Sequence, residues 1–310
     1  MKGVVEIEAV VKSFPGHLGI GRKTAVDGLT LGVAPGEVFG LLGPNGAGKT
    51  TTLKMLLGLL RPDRGRVLLF GRAPREAAAR ARLGFLPENP YFYDYLTAGE
   101  FLDFYGRLRR LPAATRRTTA RAALERVGLR DHEGVPLRKF SKGMIQRLGL
   151  AQAIQHGPDL VILDEPMSGL DPIGRREVRD LILELRAAGT TVFFSSHILQ
   201  DAEMLCDRVA ILVAGKLRAE GRLADLVSRR IRAYEVEVVG DLPSPLEAAI
   251  VSVQGAEALV RVDAPERLPH VLRSLEQAGC RVESVVPRRE TLEDVFLAEV
   301  GRARSPGEDR

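Results

Sequence analysis

Short apolar runs that end in glycine-rich or polar loops recur along the first two-thirds of the chain. The clearest lie at residues 38–42, 160–163 and 191–195, and helix-like segments follow them. Runs of this length suit buried strands, and strands that alternate with helices form parallel sheets. Residues near 4–13 and 25–33 instead predict an antiparallel pair of strands. The pattern therefore predicts an α/β protein with a mostly parallel sheet and an N-terminal antiparallel β-subdomain.

Residues from about 95 to 157 show a helical pattern, which is broken at Pro112, Gly128 and Pro136. Helix breakers at these positions predict several short helices in place of one long helix. We interpret this stretch as a helical subdomain inside a first domain that covers residues 1–230.

The pattern changes beyond this domain. Alternating segments that resemble strands and two helix-like segments predict a small α+β accessory domain over residues 231–301. No catalytic cluster stands out in it, and we expect a regulatory, dimer-supporting or merely stabilising role. Residues 302–310 are predicted to be a disordered tail.

Composition indicates a cytosolic globular protein. The 310 residues carry a net charge of +5, and Cys206 and Cys280 lack the spacing of a paired set. The N-terminus has no apolar stretch typical of a signal peptide, and no apolar run approaches the roughly 20 residues of a membrane span. Clusters such as Arg109-Arg110 and Arg116-Arg117 are interpreted as solvated helix faces, with anionic lipid or nucleic acid as other possible contacts.

The segment Gly43–Thr50 reads Gly-Pro-Asn-Gly-Ala-Gly-Lys-Thr. It follows the apolar run 38–42 and precedes a helix-like one, which is the setting of a phosphate-binding loop. Glycines let backbone N–H groups converge on an anion, and the following helix N-terminus favours negative charge. Lys49 is expected to reach the β- and γ-phosphates, and the Thr50 hydroxyl to bind Mg²⁺. This motif predicts nucleoside triphosphate binding.

Two carboxylates end the apolar run at residues 160–163. In a protein with a phosphate-binding loop, Asp164 fits the residue that supports Mg²⁺. Glu165 lies one position further, where it can polarise a water for attack on the γ-phosphate. An acidic pair at a strand end is usually only solvated, so this interpretation depends on the loop upstream.

Together with further motifs, these segments resemble the ATP-binding subunit of an ABC transporter, in order, over about two-thirds of the chain. Phe140–Arg147 resembles the family signature, Ser168–Pro172 its D-loop, and Ser195–His197 the segment with the switch histidine. Phe14 lies where the family stacks an aromatic ring on adenine. Glu88 lies where the family usually has glutamine.

The resemblance implies ATP and Mg²⁺ as cofactors, with Glu165 as general base and His197 as switch histidine. The implied magnesium site contains Thr50, Asp164 and Glu88. The implied nucleotide contacts are Phe14, Gly43, Pro44, Asn45, Gly46, Ala47, Gly48, Lys49, Thr50, Thr51, Glu88, Ser141, Lys142, Gly143, Met144 and Asp171.

Three residues depart from the commonest family pattern. The commonest form of the signature is Leu-Ser-Gly-Gly-Gln; Lys142 replaces its first glycine and Met144 its glutamine, while Ser141 and Gly143 are kept. Glu88 brings an extra negative charge near Glu165, although a carboxylate can still bind Mg²⁺. These departures resemble the branch of the family in which the ATPase and the membrane protein are separate polypeptides.

The resemblance also implies partners. Two cassettes, identical or paralogous, would bind ATP head to tail, and hydrolysis would separate them. A separate integral membrane subunit would place the chain at the cytoplasmic face of the membrane, most simply as part of an exporter. The alternative is a soluble ABC-type ATPase that acts on nucleic acid or ribosomes. With one cassette and no heptad run, we favour transport and expect no nucleic-acid partner.

Aromatic residues concentrate between Phe85 and Tyr105. Phe101, Phe104 and Tyr105 have helical spacing and are predicted to be core. The run Tyr91–Tyr95 follows Pro90 in a loop-like stretch and is harder to bury. Large clustered aromatics are enriched at interfaces, so the run is predicted to contact the membrane subunit, with internal packing as the alternative.

Overall fold

The computed structural model describes residues 3–16, 21–227 and 231–304. The described residues of Met1–Leu223 and Ala298–Arg310 form one compact unit, and those of Ala224–Leu297 form a second. Each unit has its own hydrophobic core. Within the described ranges, no helix is long and apolar enough to cross a membrane.

A six-stranded sheet forms the centre of the first unit, in the order β5-β6-β7-β3-β8-β9. Neighbouring strands from β5 to β8 are parallel, and only β9 is antiparallel to its neighbour. The sheet strands are β3 (Val38–Leu42), β5 (Leu83–Leu86), β6 (Leu160–Asp164), β7 (Thr191–Ser196), β8 (Arg208–Val213) and β9 (Lys216–Arg222). The predicted, mostly parallel α/β core is confirmed.

A three-stranded antiparallel sheet accompanies it, with β1 (Val5–Pro15) between β2 (Arg22–Val33) and β4 (Arg64–Leu69). The predicted pairing of the two N-terminal segments is present, and β4 is a third strand. Alternate residues of these strands, such as Val5, Ile7 and Leu29, join the core of the unit because neighbouring side chains point to opposite faces.

The helices of the first unit are α1 (Lys49–Leu56), α2 (Ala77–Ala81), α3 (Ala98–Leu108), α4 (Ala113–Arg126), α5 (Lys142–Ile154), α6 (Pro172–Ala187) and α7 (Leu199–Leu205). The short helix α8 (Leu223–Leu226) follows β9. Helix α3 begins with a capping box, in which Thr97 and Glu100 satisfy each other's backbone amides. In α3, Phe101 is buried as predicted, whereas Phe104 is 38% exposed and lies at the edge of the packing.

Helix α5 approaches β5 and the loop after it very closely. A Cβ atom on Gly84 would lie 2.1 Å from the Ala153 carbonyl oxygen, and one on Gly149 would lie 2.5 Å from a Leu86 methyl group. The same Gly149 position is within 3.5 Å of the Pro90 and Phe92 side chains. The two glycines therefore allow α5, β5 and the loop after β5 to pack as one body.

The second unit contains an antiparallel sheet in the order β11-β12-β10-β13. Its strands are β10 (Ile231–Val239), β11 (Ala249–Gln254), β12 (Glu257–Val262) and β13 (Arg281–Arg289), and its helix is α9 (Leu268–Gln277). Helix α10 (Leu292–Arg304) ends the described chain. Residues 302–304 of the predicted disordered tail are thus helical, and residues 305–310 lie outside the described residues.

Replacement of Gly84 by alanine tests the close packing of α5 on β5. The added methyl group would collide with a backbone carbonyl that cannot rotate away, so we expect a loss of about 1–3 kcal/mol in the free energy of unfolding. Chemical denaturation would measure it. Gly134→Ala is the matched control, because nothing lies within 4 Å of its Cβ position. Equal effects of the two changes would contradict the packing argument.

Candidate functional site

The phosphate-binding loop connects β3 to α1 at the carboxyl edge of the central sheet. Gly48 adopts a left-handed conformation as the N-cap of α1, so the chain turns directly into the helix. Lys49, the first residue of α1, is 94% buried, and its Nζ donates to the Gly43 carbonyl at 2.6 Å. The loop thus folds back around its own ammonium group, at a helix N-terminus suited to anions.

A buried ion pair joins this loop to β6. The Lys49 Nζ atom lies 3.3 Å from Oε1 of Glu165, and both side chains are more than 90% buried. The other carboxylate oxygen of Glu165 lies 2.8 Å from Nδ1 of His197, which follows β7, and 3.3 Å from the His197 backbone nitrogen. Glu165 therefore connects the lysine predicted to reach the β- and γ-phosphates with the predicted switch histidine.

The backbone at Glu165 is held in an unusual conformation, with φ at +48°. Its amide donates to the carbonyl of Ser195 at 3.2 Å and to the Ser195 hydroxyl at 3.1 Å. Left-handed backbone costs on the order of 1 kcal/mol or more in residues other than glycine, and such strain concentrates at functional sites. The sequence motif contains Ser195, but its role in holding this turn was missed.

Asp164 lies behind Glu165 at the end of β6. Its Oδ1 accepts a hydrogen bond from the Ser195 hydroxyl at 2.6 Å. Burial raises the pKa of Asp164 above its usual value, the Ser195 hydrogen bond opposes this, and the charges of Glu88 and Glu165 raise it further. Three carboxyl groups therefore lie near one another here, and the ammonium group of Lys49 offsets part of their charge.

A cavity of about 530 Å³ opens over the loop. It is lined by Phe14, Lys23, Ala25, Pro44, Asn45, Gly46, Ala47, Gly48, Lys49, Thr50, Thr51, Glu88, Glu165, Ser168 and His197. This volume is in the range of small-molecule sites. The structure thus brings the predicted loop residues together with Phe14, Glu88, Glu165 and His197.

Three lining residues were missed by the sequence analysis. Lys23 and Ala25 lie on β2, and Lys23 is paired with Phe14 across the hairpin. Aligning the two predicted N-terminal strands in register places Lys23 opposite Phe14, and this is the signal that could have identified Lys23. Ser168 belongs to the D-loop motif, where only Asp171 was assigned a contact.

The signature residues do not line this cavity. Ser141 is the N-cap of α5, and its hydroxyl accepts from the Met144 amide at 3.3 Å. The Lys142 ammonium lies against Gly169, and Gly143 is close to Leu170. Asp171, which also lies outside the cavity lining, caps α6 by accepting from the Gly174 amide at 2.7 Å.

Comparison with known proteins agrees with this geometry. Residues 26–168 match the ABC transporter family. The chain is 40% identical to the daunorubicin resistance ATP-binding protein DrrA3 of Streptomyces coeruleorubidus, over 92% of this chain and 93% of that protein. It is 38% identical to the Nod factor export ATP-binding protein I of Ralstonia nicotianae, over 91% of each.

Solved structures have the same fold. An ATP-binding subunit of an ABC transporter is 31% identical, with a TM-score of 0.65 over 72% of this chain and 91% of that one. The dimeric, ADP- and phosphate-bound cassette MJ0796 also has a TM-score of 0.65 and is 23% identical, which supports the fold alone.

The site and fold define an ATP-binding cassette. The chain belongs to the ABC transporter family as an ATP-binding subunit, and it hydrolyses ATP to energise transport.

Lys49→Ala removes the ammonium group at the centre of the loop. Charge-assisted hydrogen bonds contribute about 1.5–3 kcal/mol each, so loss of the phosphate contacts should weaken ATP binding by roughly 100-fold or more. Binding of a fluorescent ATP analogue would measure the change. Lys54→Ala, an exposed lysine on the same helix, should bind normally. Unchanged affinity in the Lys49 variant would contradict the site.

Proposed function

We propose that Glu165 is the general base of ATP hydrolysis and that His197 holds it in position. The observation that carries this proposal is the carboxylate of Glu165, shared between Lys49 at 3.3 Å and His197 at 2.8 Å. A base must be fixed beside the water that it activates, and these contacts restrict the carboxylate from two sides.

The contact with Glu165 also assigns the protons of His197. An ionised carboxylate only accepts hydrogen bonds, so Nδ1 of His197 carries the proton in this pair. In the neutral ring Nε2 is then an acceptor, and in the imidazolium form it donates.

The magnesium site that we propose contains Thr50, Asp164 and Glu88. Within the described residues, no group of three or more His, Cys, Asp or Glu side chains could hold a metal by itself. This fits Mg²⁺, which is usually bound through one or two carboxylates together with substrate phosphates. The carboxylates that raise the pKa of Asp164 support a cation there. When bound, Mg²⁺ would neutralise charge on the phosphates.

The signature residues would serve a second cassette. Helix α5 begins at Lys142 behind the Ser141 cap, so its first amides and the Lys142 ammonium favour an anion. Ser141, Lys142, Gly143 and Met144 lie outside the cavity over the chain's own loop. We propose that they contact the γ-phosphate bound by a second copy or a paralogue, and that Asp171 contacts the nucleotide at the same interface. Phe14 is proposed to stack on the adenine of the chain's own nucleotide.

A surface for the membrane subunit is proposed at the aromatic loop. Tyr91, Tyr93 and Tyr95 are 97%, 55% and 67% exposed, whereas Phe92 turns inward and packs against Phe101, with ring centroids 4.2 Å apart and the ring planes tilted by 47°. The loop is therefore anchored by Phe92 and by an edge contact between the Tyr93 and Phe104 rings, and it presents three exposed tyrosines. Exposed aromatic clusters favour interfaces.

The transporter is proposed to be an exporter with a separate membrane subunit, which places this chain at the cytoplasmic face of the membrane. The names of two relatives, one for drug resistance and one for Nod factor export, support this direction. No observation favours the soluble ATPase that acts on nucleic acid or ribosomes.

Glu165→Gln should keep ATP bound while hydrolysis falls by about 10²- to 10⁴-fold, the usual contribution of a general base. Because ATP would bridge two cassettes, the variant should also accumulate as an ATP-dependent dimer. Phosphate release and size-exclusion chromatography with and without ATP would measure the two effects.

Glu88→Gln is the matched control, since it makes the same chemical change to another carboxylate of the cavity and restores the residue usual in the family. It should keep most of its turnover. If Glu88→Gln abolishes hydrolysis and Glu165→Gln spares it, the two roles are reversed.

The double variant Tyr91→Ser and Tyr93→Ser should weaken co-purification with the membrane subunit, because it removes two exposed rings without disturbing Phe92. Pull-down from detergent-solubilised membranes would measure it. Leu108→Ser, 63% exposed at the end of α3, is a control that should leave the complex intact. Normal recovery of the double variant, with normal ATP binding, would refute the assignment.

A further inference from the structure

The sheet of the second unit lacks cover on part of one face. Its strand order and antiparallel directions match those of a βαββαβ unit, in which both crossovers contain helices. Here the connection from β10 to β11, residues 240–248, forms no helix. Helix α9 covers the centre of the face through Val271 and Leu275, and the connection contributes partly buried Leu242, Leu246 and Ala248.

Strand β11 shows the consequence, because all six of its residues are exposed. Ile250 is paired with Val260, and Val253 with Ala258, so both side chains lie on the face that carries α9. They are 55% and 57% exposed, whereas Val260 is fully buried. An apolar strip thus continues the core of the unit to the edge of the sheet.

The two edges of this sheet differ in charge. Strand β13 contains Pro287 and four charged residues, of the kinds that prevent an edge strand from pairing: Arg281, Glu283, Arg288 and Arg289. Strand β11 reads Ala-Ile-Val-Ser-Val-Gln and has no charge and no proline. Its pairing with β12 is irregular at Val251 but regular from Ser252 to Gln254. Of the two edge strands, only β13 therefore carries the proline and charged residues that oppose pairing with a further strand.

We propose that β11 pairs antiparallel with β11 of a second copy of this chain. A strand without charge can lie opposite itself without placing like charges together. A two-fold axis normal to the sheet would keep both α9 helices on one side and bring Ile250 and Val253 of the two copies together on that face. The inference rests on the proposed pairing of two cassettes, in the form in which the second cassette is another copy of this chain. This contact does not require ATP, so it goes beyond the nucleotide-bridged dimer proposed above.

The test uses the full chain without nucleotide and in the Lys49→Ala background, so that failure of the ATP-bridged dimer cannot affect it. Sedimentation velocity over a range of concentrations should show a monomer–dimer equilibrium. Val253→Lys should weaken it by about tenfold or more, because each lysine would face the partner's apolar strip. Val286→Lys, at a 45% exposed valine on the opposite edge strand, should not. A chain that stays monomeric, or equal effects of the two lysines, would overturn the proposal.

Cysteine scanning along Ala249–Gln254 provides a second measurement that adds no charge. In a regular two-fold antiparallel pair, one position lies opposite its own copy, so disulfide formation should peak there and fall on both sides. The parent chain is the control, because Cys206 and Cys280 are both buried. Crosslinking that is uniform along the strand, or absent in both the free chain and the membrane complex, would contradict the pairing. If β11 instead binds a strand of another protein, crosslinks to that protein would replace the self-crosslink and refute the proposal.

Discussion

The shared carboxylate of Glu165 is the interaction on which the site depends. An ion pair as deeply buried as Lys49–Glu165 is stable only if both charges are held in good geometry, because each has lost its water. The parallel sheet provides that geometry. Strands β6, β7 and β3 are neighbours, so the acidic pair, the serine–histidine segment and the phosphate-binding loop leave the sheet at one edge. Phosphate groups that enter beside Lys49 would compete for its charge and release Glu165, the proposed general base.

Much of this arrangement could be predicted from the sequence. The apolar runs before Gly43, Asp164 and His197 predicted strands, and carboxyl ends of parallel strands meet at one edge of a sheet. The order of the strands and the left-handed backbone at Glu165 could not be derived, because both depend on contacts between distant segments. Lys23 was missed because no motif marks it, and it joins the site only through its pairing with Phe14.

The second unit shows a different limit of prediction. The alternation of apolar and polar residues predicted its strands. That alternation does not show which part of the sheet face is left without a helix packed against it. That depends on residues 240–248, which form a connection without a helix. Likewise, Ser141 and its neighbours lie outside the cavity, and the ligand proposed for them is bound by another chain. A single sequence indicates the role of such residues only through its resemblance to a known family.

The close packing of α5 on β5 has a mechanical consequence. Through Gly84 and Gly149, this helix is in contact with the strand that leads to Glu88 and with Pro90 and Phe92 in the loop beyond it. The start of α5 carries Ser141, and the loop carries the exposed tyrosines. These parts therefore join the three contacts proposed above: Glu88 with the chain's own nucleotide, Ser141 with a second cassette, and the tyrosines with the membrane subunit. A rotation of this body that moved Glu88 towards a bound γ-phosphate would also move Ser141 and the tyrosines, and it would couple nucleotide binding to a displacement at the proposed membrane contact.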